Sequence, residues 1–486
     1  MHSEFEAVIG LEVHVQLRTR SKMFCGCLNQ YGAQPNSLTC PVCLGLPGAL
    51  PVLNGEAVRM GLAVGLALNA RISASSTFYR KQYFYADLPK GYQITQGPVA
   101  LVEEGELVIP GDPSVRGSDG PQRVRIERAH LEEDAGKNAH DLSPKASLVD
   151  LNRAGVPLLE IVGAPDLRSP QEAFDYLKAL HRLVVFLGIC DGNMEEGSFR
   201  CDANVSVRRK GETTFGTRVE VKNLNSFRFV KQALDYEVNR HIERLKAGEP
   251  IQQETRGWDS QKGETRAQRA KEGARDYRYF PEPDLPALVI TEAEIAHVKA
   301  SLPELPQARE LRFQTQLGLS AFEATTLLQT TAFADYFEAV LALGAAPKLT
   351  ANWLLGEVSR LLNERGLELE GLKVRAAAMA ELIQLLESGT INLATAKDHV
   401  FPAMIAGEQH PRSYVESKGL AQVSDRNALA GLVAKVLAAH PTQVEQVKAG
   451  QDKLRGFLVG QIMKAGQGKV NPQLIQELLA EALEKV

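Results

Sequence analysis

Four cysteines fall within 19 residues: Cys25, Cys27, Cys40 and Cys43 form the pattern C-x-C-x12-C-x2-C. Two close pairs joined by a loop can bring four thiolates around one tetrahedral ion, and Zn²⁺ suits that donor set without any redox demand; four reduced structural or surface cysteines, or redox chemistry, are the competing readings. Four sulfurs leave no open position on the ion, so its expected role is structural, pinning the loop against the strand before it. Cys190 and Cys201 lie far away and read as small apolar residues. A second chemistry lies in polar residues spaced two apart. Glu12 and His14 in GLEVHVQ share a face if the segment is a strand. Asp150 and Asn152, Asp202 and Asn204, and Glu220 and Lys222 repeat that spacing. RIERAHLEEDAGK adds Glu127, His130, Glu132, Glu133 and Asp134, and Glu160 follows in PLLEIVG. Gathered carboxylates repel unless protons or cations neutralise them. Mg²⁺ with a triphosphate is one solution, because hard oxygen ligands suit it. Arg18, Arg20, Lys81, Lys90, Arg153 and Arg218 are then candidates for phosphate contacts. A merely polar, solvated sheet face is the competing reading. No single pair of carboxylates stands apart as it would in a glycosidase.

The elements that must hold these residues are also legible. Apolar–polar alternation predicts strands at VIGLEVHVQL, RVRIERAHLEE, SLVDLNRAG, DANVSVRR and TRVEVKNL. Helices are expected over NGEAVRMGLAVGLALNA, over SPQEAFDYLKALHRLVVFLG with Ser169 as N-cap and Pro170 at N1, and from near Ser226 to about Lys246. The segment from Arg256 through Trp258 to Tyr277, Arg278 and Tyr279 mixes cations with aromatics. It suits either an RNA backbone with a stacked end or a salt-bridged surface loop. Near Thr291 the chain becomes helical and Leu/Ala-rich. The fold class expected is α+β: a mixed α/β cradle over residues 1–293, a helical domain over 294–405 and a small helical tail over 406–486.

The whole chain sets the frame. Its 486 residues are 23% charged and 44% hydrophobic, ordinary for a globular protein and unlike a disordered or fibrous one. The formal net charge of −4 argues against a wholly basic nucleic-acid coat protein. The average hides a gradient, since residues 200–280 carry 18 Lys/Arg against 12 Asp/Glu. The first residues lack the basic start and apolar core of a secretory signal, and no apolar window reaches membrane-spanning length. A cytoplasmic protein without a membrane anchor is expected. The chain has no P-loop, no G-x-G-x-x-G after a strand, no G-x-S-x-G elbow and no H-E-x-x-H. ATP, if used, is bound without a P-loop.

Long stretches of the chain resemble a known family. IGLEVHVQL, KMFCGCLNQYGAQPNSLTCPVCLGLPGALPVLN, YADLPKGYQITQ, HLEEDAGK, LVDLNRAGVPLLEIV, DANVSVR, TRVEVKNLNSF and DYRYFPEPDLP are similar to the GatB family, the B subunits of tRNA-dependent amidotransferases. Ala267, Gln268 and Arg269 differ from the S-M-R usual there. The resemblance implies a kinase and transamidase component that phosphorylates the side-chain carboxylate of mischarged Glu-tRNA(Gln) or Asp-tRNA(Asn). Ammonia from glutamine, released by GatA, then gives Gln-tRNA(Gln) or Asn-tRNA(Asn), with GatC wrapped between GatA and GatB. It implies a YqeY-like, tRNA-gripping tail and association with a non-discriminating aminoacyl-tRNA synthetase. ATP, Mg²⁺ and Zn²⁺ are the implied cofactors. Carried over by position, Glu12, His14, Glu127, Glu160, Asp202 and Glu220 are the expected Mg²⁺–ATP site, with His14 either a ligand or an orienting donor. Lys81, Asp134, Asp150, Asn152 and Lys222 are expected at phosphate or substrate, and Cys25, Cys27, Cys40 and Cys43 at zinc. Two rivals remain: a non-catalytic RNA-binding scaffold, and a free-standing ATP-grasp-like carboxylate–amine ligase with a small substrate.

Overall fold

In strand β1 (Phe5–Gln16), Leu11, Val13 and Val15 are buried, while Glu12, His14 and Gln16 take the opposite, half-buried face. A computed structural model describes residues 4–139, 146–268, 277–422, 426–448, 451, 453–466, 470 and 472–485. Around β1 it builds a 12-stranded sheet. The further strands used below are β2 (Phe78–Gln82), β3 (Tyr92–Gln96), β4 (Val102–Pro110), β5 (Pro121–Glu133), β6 (Pro157–Gly163), β7 (Phe199–Arg209), β8 (Val219–Leu224), β9 (Thr255–Asp259), β10 (Glu264–Ala267) and β11 (Phe280–Pro281). Their order is β10-β9-β8-β7-β1-β6-β5-β3-β2-β11, with β4 also on β5. The β8–β9 pair is parallel and the other pairings are antiparallel.

Three helices cover the apolar face, giving it a helical layer as an α+β fold requires. Helix α1 (Gly55–Ala67) starts at Asn54, whose side chain accepts the Glu56 N–H at 2.9 Å. Gly61 and Gly65 let it lie close to the sheet. A Cβ at these positions would stand 2.8 Å from Leu101 Cδ2 and 2.7 Å from Val102 Cγ2. Helix α2 (Pro170–Phe186) is capped by Ser169 as expected, its hydroxyl accepting the Glu172 N–H at 3.1 Å. The Glu172 carboxylate turns to Arg116, at 2.7 and 3.0 Å. Helix α3 (Phe227–Lys246) is capped by Ser226. Residues from all three helices share one core with β1, β5, β6 and β7.

The segment LVDLNRAG is only briefly a strand. Leu148–Asp150 pairs with Lys137–Ala139, and the chain then turns, with Gly155 at φ +87°. Helix α4 (Glu292–Ser301) begins with a capping box of Thr291 and Glu294, and its Val298 belongs to the sheet domain's core. The first compact unit accordingly runs to Pro306, past the residue-293 boundary expected from composition, and the second is Gln307–Val486. The second unit is helical. Within it Leu429, Val433, Leu458, Ile462, Ile475 and Leu479 form a separate apolar cluster. No helix among the described residues is long and apolar enough to cross a membrane.

Candidate active site

Register in the sheet brings together residues that are distant in sequence. His14 on β1 lies opposite Glu160 on β6 and Arg200 on β7, and Glu160 lies opposite His130 on β5. Glu12 faces Asp202, and Glu220 faces Asn204. The polar positions of five adjacent strands therefore form a band across one face of the sheet. Nε2 of His14 is 3.3 Å from Glu160 Oε2, and Nε2 of His130 is 3.4 Å from the same oxygen. Glu132 and Glu12 stand 3.7 and 3.8 Å from His14.

These groups set one another's charge. Burial pushes the His130 imidazolium down, but its bonds to Glu132 and Glu160 win and raise it to about 9. His14 is raised by the same contest, burial against Glu160 and Glu132. Burial works to raise Glu160, yet the two histidines hold its carboxyl well below the ordinary range. Glu12 moves the other way, raised first by burial and then by the charges of Glu160 and Asp202. Lys222 links the next strand. It ion-pairs with Asp202, and its Nζ is 2.9 Å from Glu220; these anions outweigh burial and keep the ammonium charged to high pH. Lys81, also charged against burial, lies within the field of Glu132 and Glu160, its Nζ 5.0 Å from the Tyr277 ring centroid.

A cavity of about 560 Å³ opens beside this band, lined by Gln16, Asp150, Asn152, Arg153, Arg200 and Asp202 among others. Arg200 crosses between the two, its guanidinium donating to the buried Asp134 at 2.8 and 3.2 Å. Gln16 donates to Asp134 at 2.8 Å, and Arg153 stands 3.7 Å away. Burial would raise the Asp134 carboxyl, but these cations and bonds hold it low. Asp150 and Asn152 stitch loops together. Asp150 accepts N–H bonds from Asn36 and Asn152 at 3.0 Å; Asn152 accepts from the Leu38 N–H at 2.8 Å and donates to Gln34 O at 2.7 Å.

Of the site expected from sequence, the structure brings together Glu12, His14, Glu160, Asp202, Glu220 and Lys222, with Lys81 and Asp134 at the margins. It leaves Glu127 out. Register slips between Val162 and Gly163, so Glu127 falls at a β-bulge, 49% exposed and 3.7 Å from Arg128. From the same strand Glu132 and His130 reach the band. The signal was in the sequence: Val124 and Ile126 are out of phase with Ala129 and Leu131, which requires an extra residue between the pairs. Arg200 was missed because nothing local marks it. Arg269 lies outside the described residues. The two arrangements separate in a measurement: Glu132→Gln lowers ATP-dependent turnover by about 100-fold, whereas Glu127→Ala stays within about threefold of the parent. Equal losses in both variants would restore Glu127 to the site.

The donor sets fit the ions considered for them. Glu12, His14 and Glu160 offer ligand atoms within 4.8 Å of one another, as do His130, Glu132 and Glu160. These are oxygen-rich groups with charge enough for a hard divalent cation. The four clustered cysteines likewise bring their sulfurs within 4.8 Å, and Cys40 and Cys43 are 3.9 Å apart, close to the ~3.8 Å edge of a tetrahedron with ~2.3 Å Zn–S bonds. A hydrogen bond from Cys25, the Cys40 N–H and the nearby Lys22 ammonium together outweigh burial and bring the Cys43 thiol down to about 4. Lys22 has no exposed surface. Its Nζ donates to Leu38 O at 2.8 Å and Leu151 O at 3.4 Å and sits 3.9 Å from Cys43 Sγ, a cation placed to offset thiolate charge.

The sheet thus presents carboxylates, histidines and lysines in one band beside a cavity, and the chain holds a separate cluster of four cysteines. The GatB/GatE catalytic domain matches residues 7–296, and the GatB domain matches residues 335–483. The chain belongs to the GatB family. It is 53% identical over 483 residues to a Geobacter sulfurreducens protein and 52% identical over 486 residues to one from Anaeromyxobacter dehalogenans, covering 99% of both chains in each case. It is 50% identical over 482 residues to one from Thermodesulfovibrio yellowstonii. That alignment covers 99% of this chain and 100% of the relative. Each of the three relatives is named as the B component of an aspartyl/glutamyl-tRNA(Asn/Gln) amidotransferase.

Proposed function

We propose that the chain is the activating and amidating component of an aspartyl/glutamyl-tRNA amidotransferase, acting on the side-chain carboxylate of mischarged Glu-tRNA(Gln) or Asp-tRNA(Asn). The carboxylate–histidine band beside the cavity carries the reading, joined by the full-length likeness to relatives of that name. A carboxylate resists amidation because oxide is a poor leaving group. Transfer of the γ-phosphoryl of ATP to a carboxylate oxygen, with ADP leaving, makes that oxygen a phosphate. Ammonia then attacks the acyl carbon, phosphate departs and the amide remains.

Glu12, His14, Glu132 and Glu160 would hold Mg²⁺, which supplies neutralisation of phosphoryl charge when bound. Lys81 and Lys222 place ammonium groups at either end of the band, suited to phosphate oxygens. Arg200, fixed by Asp134, orients the boundary between band and cavity. With the cation bound the His14 imidazole would be neutral, its Nε2, now 3.3 Å from Glu160, serving as a ligand. An acyl phosphate formed there would have to be kept from water by the bound substrate and partners. Ammonia comes from a glutaminase partner, GatA, with GatC completing the complex; a non-discriminating synthetase supplies the mischarged tRNA. The compartment that fits is the cytoplasm.

The test is reconstitution with GatA, GatC, ATP, glutamine and mischarged tRNA. Amidated tRNA is the expected product, and its absence together with absence of ATP-dependent phosphorylation overturns the proposal. The four cysteines are expected to hold about one zinc per chain. Cys40→Ser loses that metal on elemental analysis and loosens the loop against 149–152. Zinc-free protein prepared without chelator would remove the assignment.

A further inference from the structure

Six large aromatic side chains are exposed among the described residues of the first unit, and four of them lie on two short segments: Phe84 and Tyr85, and Tyr279 and Phe280. Pairing of β2 with β11 joins these segments, setting Phe280 opposite Arg80. Phe84, Tyr85 and Tyr279 are 70%, 60% and 51% exposed. Tyr85 stacks on Tyr83 with centroids 4.6 Å apart, and the Arg278 guanidinium lies 5.4 Å from the Phe84 ring centroid. Tyr277 and Tyr279 meet edge to face at 5.9 Å. Open π-faces interleaved with cations are an unfavourable surface to show to water and a good one to show to unpaired bases joined by phosphates.

Its place narrows the occupant. β3 lies between β2 and β5, with Thr95 opposite Glu132, and Lys81 of β2 stands opposite Gln93 with its Nζ 5.0 Å from the Tyr277 ring centroid, so the strip adjoins the carboxylate–histidine band. An amino acid carried by tRNA is esterified to the 3′-terminal ribose. Once its side-chain carboxyl reaches the band, the terminal base can lie no further away than the aminoacyl ester and one ribose span, and the bases before it follow. Stacking accepts any base, so it reads the unpaired 3′ end that tRNAs share and leaves their identities to other contacts. That tolerance suits a protein whose relatives are named for two tRNAs.

We propose that Phe84, Tyr85 and Tyr279, with Arg278 among them, form a stacking platform for the unpaired 3′-terminal nucleotides of the aminoacyl-tRNA. This rests on the function proposed above and adds where that substrate's end is held. ATP's adenine is the rival occupant, and the experiment separates the two.

The probe is a four-nucleotide RNA with 2-aminopurine in place of the terminal adenine, titrated into the complex with GatA and GatC. Stacking quenches the probe on binding. Phe84→Ala and Tyr85→Ala are each expected to bind it roughly 5- to 100-fold more weakly and to raise KM for mischarged tRNA with KM for ATP unchanged. Tyr85→Phe keeps the ring and restores binding, whereas Phe84→Leu keeps apolar bulk and does not. Parent-like quenching in both alanine variants overturns the platform. A raised KM for ATP with unaltered RNA binding also overturns it, in favour of adenine. A wild-type complex that makes no amidated tRNA defeats the broader function instead, while the RNA titration still reports on the platform.

Discussion

Glu160→Gln is expected to lower ATP-dependent amidation by roughly 10²–10³-fold while glutamine hydrolysis by the partner continues. One oxygen of Glu160 faces Nε2 of both His14 and His130, at 3.3 and 3.4 Å. The amide keeps the shape of the side chain and removes its charge. Both histidines lose one of the two anions that hold their protons, Glu132 remaining, and both three-residue donor sets lose their shared member. Proton titration by NMR supplies a readout independent of turnover. His130, raised to about 9 in the parent, should fall toward the ordinary 6.5. The sign for stability follows. A group raised from 6.5 to about 9 on folding stabilises fully below pH 6.5, and that contribution is lost as pH rises through about 9. The variant's deficit is therefore largest in mild acid and absent in strong base. Unchanged amidation would remove Glu160 from the chemistry.

Glu237→Gln should produce the largest loss of stability. Glu237 sits on α3 with no exposed surface. Its carboxylate accepts from Arg240 at 2.7 Å, lies 3.1 Å from Arg256 Nε and 3.3 Å from His241 Nε2, and takes a hydrogen bond from Thr265. Arg256 and Thr265 belong to the β9–β10 hairpin, so one buried anion clamps that hairpin to the helix. Burial raises this carboxyl, but its partners bring it down to about 2 from 4.5. Neutralising it leaves buried guanidinium charge undercompensated, at a cost of about 3–5 kcal/mol. The thermal midpoint should drop by roughly 5–10 °C at pH 7. A depressed carboxyl stabilises above pH 4.5, and the contribution is lost as pH falls through about 2. Parent and variant should thus converge in acid. Equal midpoints at pH 7 would show that the clamp contributes nothing.

Much of this site was legible because strand alternation is local. Glu12 and His14 alternate with Leu11, Val13 and Val15, and that fixes their common face. The cysteine spacing and the caps at Ser169 and Ser226 are equally local. Which strands lie side by side is not. Nothing near His14 says that Glu160 and Arg200 flank it, since those pairings span more than 140 residues. The bulge at Glu127 depends on phase across a whole strand, so neither residue type nor the carry-over by position shows that Glu127 stands apart from Glu160 in the sheet. That Asp150 and Asn152 also bond a loop more than 110 residues away is likewise invisible locally.

The central position of β1 has a consequence for how the chain is made. This strand leaves the ribosome before either of its neighbours, β6 and β7, which are synthesised some 150–200 residues later. At ~5–20 residues per second, its two unpaired edges wait on the order of ten to forty seconds. During that interval FEAVIGLEVHVQ is an apolar strand without partners, the kind of segment that pairs with other nascent chains. Glu12 and His14 put charge and polarity on one of its faces, so the same two residues that later sit in the band also make the unpaired strand a poorer template for such pairing.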